Sequence, residues 1–348
     1  MAYEVIQADL AVSQPHVLNL WRESFPSLKD SRFPWLYQGN PSGPARVHLL
    51  RNAASGEIVG TTALFPRHLY SLGTKLRGAI AGDLAVDRKH RTLGPAIALQ
   101  RAMLSQCDGS TLDLVYGFPN RKAEPLMSRL RYVTVAGMRE LVLPVRSRYY
   151  IRRHIRWAWL NAPASLIVDQ LLRIRAIRLR GRVGRRWTFS VDNTYGDDFD
   201  KLWRRVHAEY HLLGEKTAEY LRWRYGECPG REYRVFSMRS PETGLEGYLV
   251  YFEAGRRVNV VDYLANHESG VLEDLFNGFL AMQRRQGADV ISISLVSSPD
   301  ILSRFRAMGF HVRGEPNRLV VFAAEGHAAL LDQLKTGPWY LVAGDNDV

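Results

Sequence analysis

The sequence predicts an α/β protein built as two similar halves that are joined by an arginine-rich helical segment. Three observations lead to this fold class. Short apolar runs with the alternation of strands are interspersed with amphipathic stretches of helical period. A set of local features recurs in the same order in both halves, which indicates an internal repeat. Nearly all of the net charge is confined to residues 146–186, which separates this segment from the two bodies.

Composition and length set the first bounds. A chain of 348 residues with 46% hydrophobic residues can bury a sizeable core and is long enough for two domains. Cys107 and Cys228 are too few and too far apart for a disulfide framework or a zinc site. The stretch Met1–Val5 runs straight into a strand pattern, and no apolar run reaches the length of a bilayer span. The sequence therefore predicts a cytoplasmic protein with no signal sequence, no membrane span and no metal.

The order of elements predicted for the first half is β-α-β-β-β-α-β-α-β. The apolar patterns and turn residues predict strands and helices with these bounds: a strand over 3–8, a helix near 14–24, strands over 46–52 and 57–66, a further strand pair that ends in the strand 82–86, a helix over 95–106, a strand over 112–116, a short helix over 121–130 and a closing strand pair over 133–145.

One stretch, Gly82–Ala96, carries the chemistry of this half. It begins as a strand and ends as the first turn of a helix, with Arg88, Lys89 and His90 between the two. Small residues in the connecting loop allow a ligand to approach the backbone. The first N–H groups of a helix have no internal partner, and the helix dipole favours an anion there. The stretch therefore predicts a cradle for a pyrophosphate.

This stretch resembles the acyl-CoA loop of the GCN5-related N-acetyltransferase (GNAT) superfamily, which reads Arg/Gln-x-x-Gly-x-Gly/Ala after a strand of the type Leu-x-Val. Arg91, Gly94 and Ala96 match the loop, and Leu84 and Val86 match the strand. The order of elements in the first half is also that of the GNAT fold. The resemblance implies a mixed, mostly antiparallel sheet flanked by helices, with acetyl-CoA or another acyl-CoA as co-substrate. An ordinary strand-turn-helix with a basic turn is the alternative.

The resemblance also implies roles for individual residues. The backbone of the central strand would polarise the thioester carbonyl, the loop would hold the phosphates, and the segment Gly117–Asn120 also resembles the superfamily. The cofactor-binding residues expected on this basis are Leu84, Ala85, Val86, Arg91, Thr92, Leu93, Gly94, Pro95, Ala96 and Asn120. Asp83 is the candidate general base and Tyr116, or else Tyr132, the candidate acid for the thiolate. Alternatively, Asp83 pairs with an arginine or caps a loop, and Tyr116 is a core aromatic.

The second half repeats the first weakly. Leu202-Trp203-Arg204 repeats Leu20-Trp21-Arg22, and Trp223-x-Tyr225-x-x-x-Pro229 repeats Trp35-x-Tyr37-x-x-x-Pro41. We interpret the two Trp-x-Tyr elements as packing features rather than binding sites. Strands are predicted over 233–238, 245–252, 260–264, 289–295 and 318–322, with a helix over 299–308.

The second copy lacks the acyl-CoA loop. Where the first copy has Arg91-x-x-Gly94-x-Ala96, the second has the run 265–272, in which Glu268 would repel a phosphate. We therefore expect a single acyl-CoA site, in the first copy. Asp262 and Tyr263, at the place equivalent to Asp83 and Leu84, are the candidates for binding the acceptor.

These features divide the chain into four parts: a GNAT-like acyl-CoA-binding domain over 1–145, a basic amphipathic linker over 146–186, a second, degenerate GNAT-like domain over 187–325 and a tail over 326–348. The linker holds twelve arginines, no lysine and one acid, Asp169, and so carries +11 of the net charge of +12. With Trp157 and Trp159 at its edge, it suits an anionic membrane surface. A linker that packs across both domains is the alternative, and nucleic acid is disfavoured because no known binding motif is present.

The tail, Trp339–Asp347, is aromatic and then acidic. Either it folds back, so that Asp345 and Asp347 meet a cationic amine or the basic linker, or it is a frayed terminus.

Together these expectations describe a cytoplasmic tandem GNAT-like N-acyltransferase. It would move an acyl group, most simply acetyl, from acyl-CoA to a primary amine. The acceptor would be a small molecule, such as an amino sugar or another precursor of a surface polysaccharide or lipid, with the protein peripheral at the inner membrane face. Two alternatives stay open: a Fem-type transferase that takes aminoacyl-tRNA, and a non-catalytic membrane- or complex-binding module with a vestigial pocket.

Overall fold

The structure, a computed structural model, describes residues 3–121, 123–146, 187–266, 268, 270–326, 328–337 and 339–346. The prediction for the basic linker, including its membrane-binding helices, falls on residues 147–186 and lies outside this part of the chain. The elements up to residue 146 are strands β1 (Tyr3–Ala8), β2 (Arg46–Asn52), β3 (Ile58–Ser71), β4 (Thr74–Val86), β5 (Leu114–Gly117) and β6 (Val133–Pro144), and helices α1 (Leu10–Ser24), α2 (Leu93–Leu104) and α3 (Glu124–Arg129).

The elements after the linker repeat this order with one additional strand and one additional helix, and a tail follows. The strands are β7 (Thr188–Asp192), β8 (Leu212–Gly214), β9 (Arg234–Ser240), β10 (Gly244–Ala254), β11 (Arg257–Ala265), β12 (Val290–Val296), β13 (His311–Ala323) and β14 (Trp339–Val342). The helices are α4 (Asp197–Val206), α5 (Ala218–Leu221), α6 (Val271–Gln286), α7 (Pro299–Ala307) and α8 (Ala328–Thr336). A π-helical turn lies in each half, at Phe33–Gln38 and at Arg222–Gly226.

All of these strands belong to one mixed sheet, which confirms the predicted fold class. The strand order is β1-β2-β3-β4-β5-β13-β6-β12-β11-β10-β9-β7, and β14 pairs with both β12 and β8. Within the described residues three pairings are parallel, β4 with β5, β11 with β12 and β8 with β14. Because β8 also pairs with β3, the pairings from β3 through β5, β13, β6, β12, β14 and β8 close into a ring of eight strands.

Strand β13 crosses from the second half into the first. It lies between β5 and β6, with Val321 opposite Tyr116 on one side and Val133 on the other. The closing strand pair predicted over 133–145 is therefore wrong. Those residues form the single strand β6, whose two neighbours, β13 and β12, both come from the second half. The alternation of apolar residues predicts a strand but not its partner, so it does not distinguish two short strands joined by a turn from one long strand.

Amphipathic helices cover the sheet. Helix α1 buries Ser13, Val17, Leu20 and Trp21, which recur at the spacing of one helical face, and it packs against β3 and β4. Helix α6, which the sequence analysis did not predict, buries a similar stripe against β10 and β11. Both of its ends carry a glycine with a left-handed backbone, Gly270 and Gly287. No helix of the described residues is long and apolar enough to cross a membrane.

The tail is ordered structure rather than a frayed end. Helix α8 leads into β14, whose four residues are all buried, and a 3₁₀ turn over Ala343–Asp345 follows. Strand β14 pairs with the end of β12, Leu295 opposite Val342, where β11 and β12 have ceased to pair. The tail therefore fills the opening between the two parallel strands of the second half.

Candidate active site

Strand β4 is irregular at Asp83. Two residues, Asp83 and Leu84, stand opposite the single residue Thr62 of β3, so the strand carries a β-bulge here. Asp83 has a φ of 52°, in the left-handed region that residues with a side chain seldom adopt. Bulges and strained residues concentrate at functional sites, where they change the direction of backbone groups and side chains.

The carboxylate of Asp83 is buried and paired. Arg32 Nη1 lies 2.5 Å from Asp83 Oδ2 and Tyr37 Oη donates to the same oxygen at 2.8 Å. Arg32 comes just before the π-helical turn and Tyr37 lies within it. The turn thus fixes the direction of the one acidic side chain in the bulge. The alternative that Asp83 pairs with an arginine is confirmed, and its role as base stays a prediction.

An opening between β4 and β5 begins beside the bulge. The two strands pair only from Gly78 to Ile80 on β4, and β4 then continues through Leu84, Ala85 and Val86 beyond the last pair. On their other side Ala85 and Val86 still pair with β3. The cofactor-binding residues expected on this strand thus border the opening between two diverging parallel strands.

Helix α2 begins at the end of this opening. Thr92 is its N-cap residue, but the Thr92 side chain makes no capping hydrogen bond. The Arg91 guanidinium folds back and donates from Nε and Nη2 to the carbonyl oxygen of Val86, at 3.1 and 3.0 Å. These contacts hold the loop against the end of β4. The first turn of the helix is therefore fixed in place, and no side chain of its own caps it.

At the first turn of α2, nothing in the described protein requires a glycine at position 94. Leu93 is exposed and Pro95 is buried, whereas a Cβ added at Gly94 would meet no protein atom within 4 Å. Gly94 also has an ordinary φ, so neither backbone strain nor protein packing requires a glycine there. Ala96, one residue after Pro95, is half-buried. The small residues of the loop are consistent with the close approach of a ligand to the backbone.

Asn120 has a structural role. Its side-chain Oδ1 accepts a hydrogen bond from the backbone N–H of Ala123 at 3.1 Å, at the entrance to α3. Contact of Asn120 with a cofactor stays a prediction.

Tyr116 is a buried aromatic at the junction of the first half with the tail. Its hydroxyl donates to the carbonyl oxygen of Asp345 at 3.0 Å. Burial raises the pKa of Tyr116 well above its ordinary value, although the nearby Arg67 acts in the opposite direction. Tyr132, the other candidate acid, is also buried, and burial raises its pKa as well. The role of either hydroxyl in protonating a thiolate stays a prediction.

A buried ionic cluster adjoins Tyr116. We call it the interface cluster, and it consists of Arg67, Lys216, Asp262 and Asp345. Arg67 Nη2 donates to Asp345 Oδ1 at 2.7 Å, and Lys216 Nζ lies 2.7 Å from Asp262 Oδ1 and 3.5 Å from Asp345 Oδ2. All four side chains are at most 2% exposed. The tail therefore folds back as one alternative predicted, but Asp345 meets Arg67 and Lys216 rather than the basic linker, and Asp347 lies outside the described residues.

The two carboxylates of the interface cluster differ in their electrostatics. Burial, which outweighs the attraction of Lys216, raises the pKa of Asp262. Burial acts upward on Asp345 too, but Lys216 and Arg67 together outweigh it and hold that pKa below its ordinary value. Two cations contact Asp345, whereas Asp262 pairs with one cation and accepts a hydrogen bond from the Tyr225 hydroxyl at 2.7 Å.

Asp262 and Tyr263, the candidates for the acceptor site, are both buried in the core of the second half. Tyr263 packs edge-on against Phe276, Phe305 and Tyr340. Asp262 lies beside a bulge of β11, as Asp83 lies in the bulge of β4. Binding of the acceptor by either residue stays a prediction.

The two Trp-x-Tyr elements lie in the two π-helical turns, and the turns meet. The rings of Trp35 and Trp223 stack with centroids 5.2 Å apart. Each indole N–H donates to the backbone carbonyl oxygen of the other tryptophan, at 2.8 and 3.0 Å. The tyrosine of each turn bonds the acid of its own half, Tyr37 to Asp83 and Tyr225 to Asp262. The interpretation of these elements as packing features is confirmed.

A known protein family matches the part of the chain that contains the candidate site. The model of the acetyltransferase (GNAT) domain family matches residues 13–130, which include the bulge, the opening and the loop. The first half of the chain is therefore similar to a GNAT domain. A search of curated proteins finds no match.

Solved structures show the same fold over most of the chain. A probable N-acyltransferase from Enterococcus faecalis V583 superposes with a TM-score of 0.67 at 13% identity, over 93% of this chain and 72% of its own. A GCN5-related N-acetyltransferase from Anabaena variabilis superposes at 0.64 and 12% identity, over 92% and 72%. Eis1 from Mycobacterium abscessus superposes at 0.58 and 14% identity, over 95% and 75%. At these identities the similarity is one of fold.

Sequence reasoning missed several residues that hold the candidate site together. Arg67 and Lys216 were not recognised, and Arg32 and Tyr37 were not connected with Asp83. One signal was available for Arg67, since it is the single arginine or lysine in the stretch Ala63–Tyr70 of β3, which is apolar except for Arg67 and His68. In the part of the chain that the structure describes, no group of three or more His, Cys, Asp or Glu residues could hold a metal ion.

Proposed function

We propose that this protein transfers an acyl group from acyl-CoA, most simply acetyl-CoA, to a primary amine. The observation that carries the proposal is the bulge of β4 at Asp83, next to the opening between β4 and β5 and to the open first turn of α2. A pantetheine arm in that opening would place a thioester beside the bulge. The pyrophosphate would then meet the N–H groups and the positive dipole end of the helix.

The chemistry that we propose for the bulge follows from its geometry. Backbone N–H groups around Leu84 would polarise the thioester carbonyl, which stabilises the negative charge that develops on its oxygen. Asp83 would accept the proton of the attacking amine, directly or through one water molecule. Arg32 and Tyr37 both reach Oδ2 of Asp83, and they would hold its carboxylate in one orientation during this step. Tyr116 is the proposed proton donor to the departing thiolate.

The first test is calorimetric titration with acetyl-CoA. We expect the wild type to bind and Gly94→Glu to lose binding by at least tenfold, because the new side chain brings bulk and negative charge to the place proposed for the phosphates. Gly94→Ala should weaken binding too while leaving the fold intact, since its methyl group would meet no protein atom. Ala54→Glu, in the exposed turn between β2 and β3, adds the same charge elsewhere and is the matched control.

The titration results distinguish the proposed cofactor site from its alternatives. If the wild type binds no CoA ester, the proposal fails. If Gly94→Glu binds as the wild type does, the loop at Arg91–Ala96 is not the cofactor site. Release of free CoA thiol in the presence of a panel of amines then tests transfer itself, and binding without release for any amine would favour a non-catalytic module.

The identity of the amine acceptor is a second, more specific proposal. The charge of the segment 146–186 motivates an amine presented at an anionic membrane surface, such as an amino sugar of a lipid- or polysaccharide precursor. Sedimentation with anionic liposomes tests this idea. A variant lacking residues 146–186 that still sediments as the full chain does would rule it out.

A further inference from the structure

Two buried polar side chains lie between helix α2 and the bulge of β4. Thr62 of β3 is 0% exposed and Gln100 of α2 is 1% exposed. Thr62 is the residue that stands opposite the bulge, and Gln100 lies on the helix whose first turn is proposed to meet the phosphates. The two side chains therefore lie between the two ends of the proposed acyl-CoA site.

Hydrogen bonds join the helix to the bulge through these side chains. Gln100 Nε2 donates to Thr62 Oγ1 at 3.0 Å. Because Thr62 Oγ1 accepts that bond, its own proton points elsewhere, and it donates to the carbonyl oxygen of Gly82 at 3.4 Å. The sulfur of Met103, 3.7 Å from the same hydroxyl, is a weaker acceptor. The Thr62 hydroxyl thus connects α2 with the residue that precedes Asp83.

Packing alone does not account for polar residues at these two positions. Both side chains contact the sulfur of Met103, which belongs to an apolar cluster with Leu64 and Leu104. The Oε1 atom of Gln100 is buried and finds no hydrogen-bond partner among the residues that the structure describes. A buried polar atom without a partner destabilises a fold, and apolar side chains of similar size would avoid this loss. The pair is therefore expected to have a role besides packing.

The bond to Gly82 fixes a backbone group that faces the opening beside the bulge. A trans peptide group is planar, so the N–H of Asp83 points opposite to the carbonyl group of Gly82. That carbonyl group is directed toward Thr62 on β3. The neighbour of β4 on its other side is β5, whose pairing with β4 has ended before Asp83. The N–H of Asp83 therefore points toward the opening, where the thioester is proposed to lie.

We propose that Thr62 and Gln100 are positioning residues that hold the backbone N–H of Asp83 toward the thioester carbonyl. This inference rests on the function proposed above. Gln100 fixes the Thr62 hydroxyl, the hydroxyl fixes the carbonyl group of Gly82, and the rigid peptide group transmits that direction to the N–H. A preorganised donor of this kind stabilises the negative charge that develops on the thioester oxygen. The π-helical turn holds the carboxylate of the same aspartate, so the two sets of contacts have separate roles.

The substitution Thr62→Val, which removes the hydroxyl and nearly keeps the shape, should change how the thioester is bound. In calorimetric titrations the ratio of the Kd of CoA to the Kd of acetyl-CoA should fall about two- to tenfold, the range expected for one hydrogen bond. Infrared difference spectra of bound acetyl-CoA with an isotope-labelled carbonyl give a second readout. The wild type should lower the carbonyl stretching frequency, and Thr62→Val should return it toward the value of free acetyl-CoA.

Three further variants separate positioning from packing. Thr62→Ser keeps the hydroxyl but leaves a gap, so a packing defect would affect it more than Thr62→Val, whereas positioning predicts wild-type readouts. Gln100→Met removes the donor, keeps a side chain of similar length and should change both readouts as Thr62→Val does, which preserves the test if Thr62→Val fails to fold. Thr61→Val removes a buried hydroxyl on the opposite face of β3 that has no hydrogen-bond partner in the described chain, and it should leave both readouts unchanged.

The results distinguish failure of this inference from failure of the proposed function. A wild type that binds no acetyl-CoA overturns both, and a wild type that binds it without lowering the carbonyl frequency overturns the positioning roles. If the wild type lowers the frequency but Thr62→Val and Gln100→Met match it in both readouts, the positioning roles are overturned and the proposed function stands. Equal changes in Thr62→Ser and Thr62→Val, or in Thr61→Val and Thr62→Val, overturn them as well.

Discussion

The substitution Asp345→Asn tests whether the interface cluster fastens the tail to both halves. The Asp345 side chain is 1% exposed, and its carboxylate accepts from Arg67 at 2.7 Å and from the backbone N–H of Val342 at 2.9 Å. Lys216 lies 3.5 Å away. Asparagine has the shape of aspartate but no charge, so Arg67 and Lys216 would lose one of the negative charges that oppose theirs. Breaking a buried pair in this way costs about 3–5 kcal/mol, and we expect the free energy of unfolding to fall by that amount.

Urea unfolding followed by tryptophan fluorescence measures this loss, provided that the slope of the transition is unchanged. Asp332→Asn is the control, because Asp332 and Lys335 form an exposed pair one helical turn apart that should contribute under about 1 kcal/mol. A loss of less than about 1 kcal/mol for Asp345→Asn would refute the reasoning.

The double substitution Arg67→Met with Asp345→Leu separates charge from packing. Removing both partners leaves the pair of Lys216 with Asp262 in place. Because replacing a whole buried ion pair by apolar groups is often neutral, the double variant should be more stable than Asp345→Asn alone. Equal or greater destabilisation would show that the contacts of the tail depend on shape rather than on charge balance.

Three further expectations follow from single contacts. Burial lowers the pKa of His48 to about 4 from 6.5, so below pH 6.5 the unfolded chain takes up a proton that the folded chain does not. The free energy of unfolding should therefore fall between pH 6.5 and 4, with a slope approaching about 1.4 kcal/mol per pH unit. His48→Asn should flatten this part of a series of denaturation curves measured at different pH. Trp223→Phe removes the hydrogen bond to the Trp35 carbonyl and should lower the free energy of unfolding by about 1–3 kcal/mol, whereas an unchanged urea midpoint would contradict the reciprocal contact. If Asp83 is the base, Asp83→Asn should lower kcat by about 10²–10⁴ and leave the Kd for acyl-CoA within a few-fold, and unchanged turnover would exclude that role.

Local pattern predicted much of the first half. The bounds of β1 and β2 agree with the alternation of apolar residues, and α2 begins two residues before the predicted start. The repeat predicted the equivalence of Asp83 and Asp262, which the structure confirms through the matched hydrogen bonds of Tyr37 and Tyr225. These features depend on residues close in sequence or on a motif present twice, and a single sequence records both.

The partners of these elements could not be predicted in the same way. Nothing in β6 or β13 specifies that one lies beside the other, because the pattern of apolar residues predicts a strand but not its neighbour. The interface cluster was missed for a related reason. Arg67 and Asp345 are separated by 278 positions, so even an arginine recognised within a mostly apolar strand gives no indication of its partner. Only the fold brings the two charges together.

The ring of strands also constrains the order in which the chain can be completed. Two of its members, β13 and β14, are synthesised after all the other strands of the ring, yet β13 bridges β5 and β6, which were synthesised long before. Until then the inner edges of β5 and β6 lack the strand that joins them, and both edges can pair with the wrong partner. A nascent chain of this kind can close the ring only after β13 and β14 have been synthesised. Pairings between positions so distant in sequence close slowly, and the unfinished protein is therefore the form most exposed to aggregation.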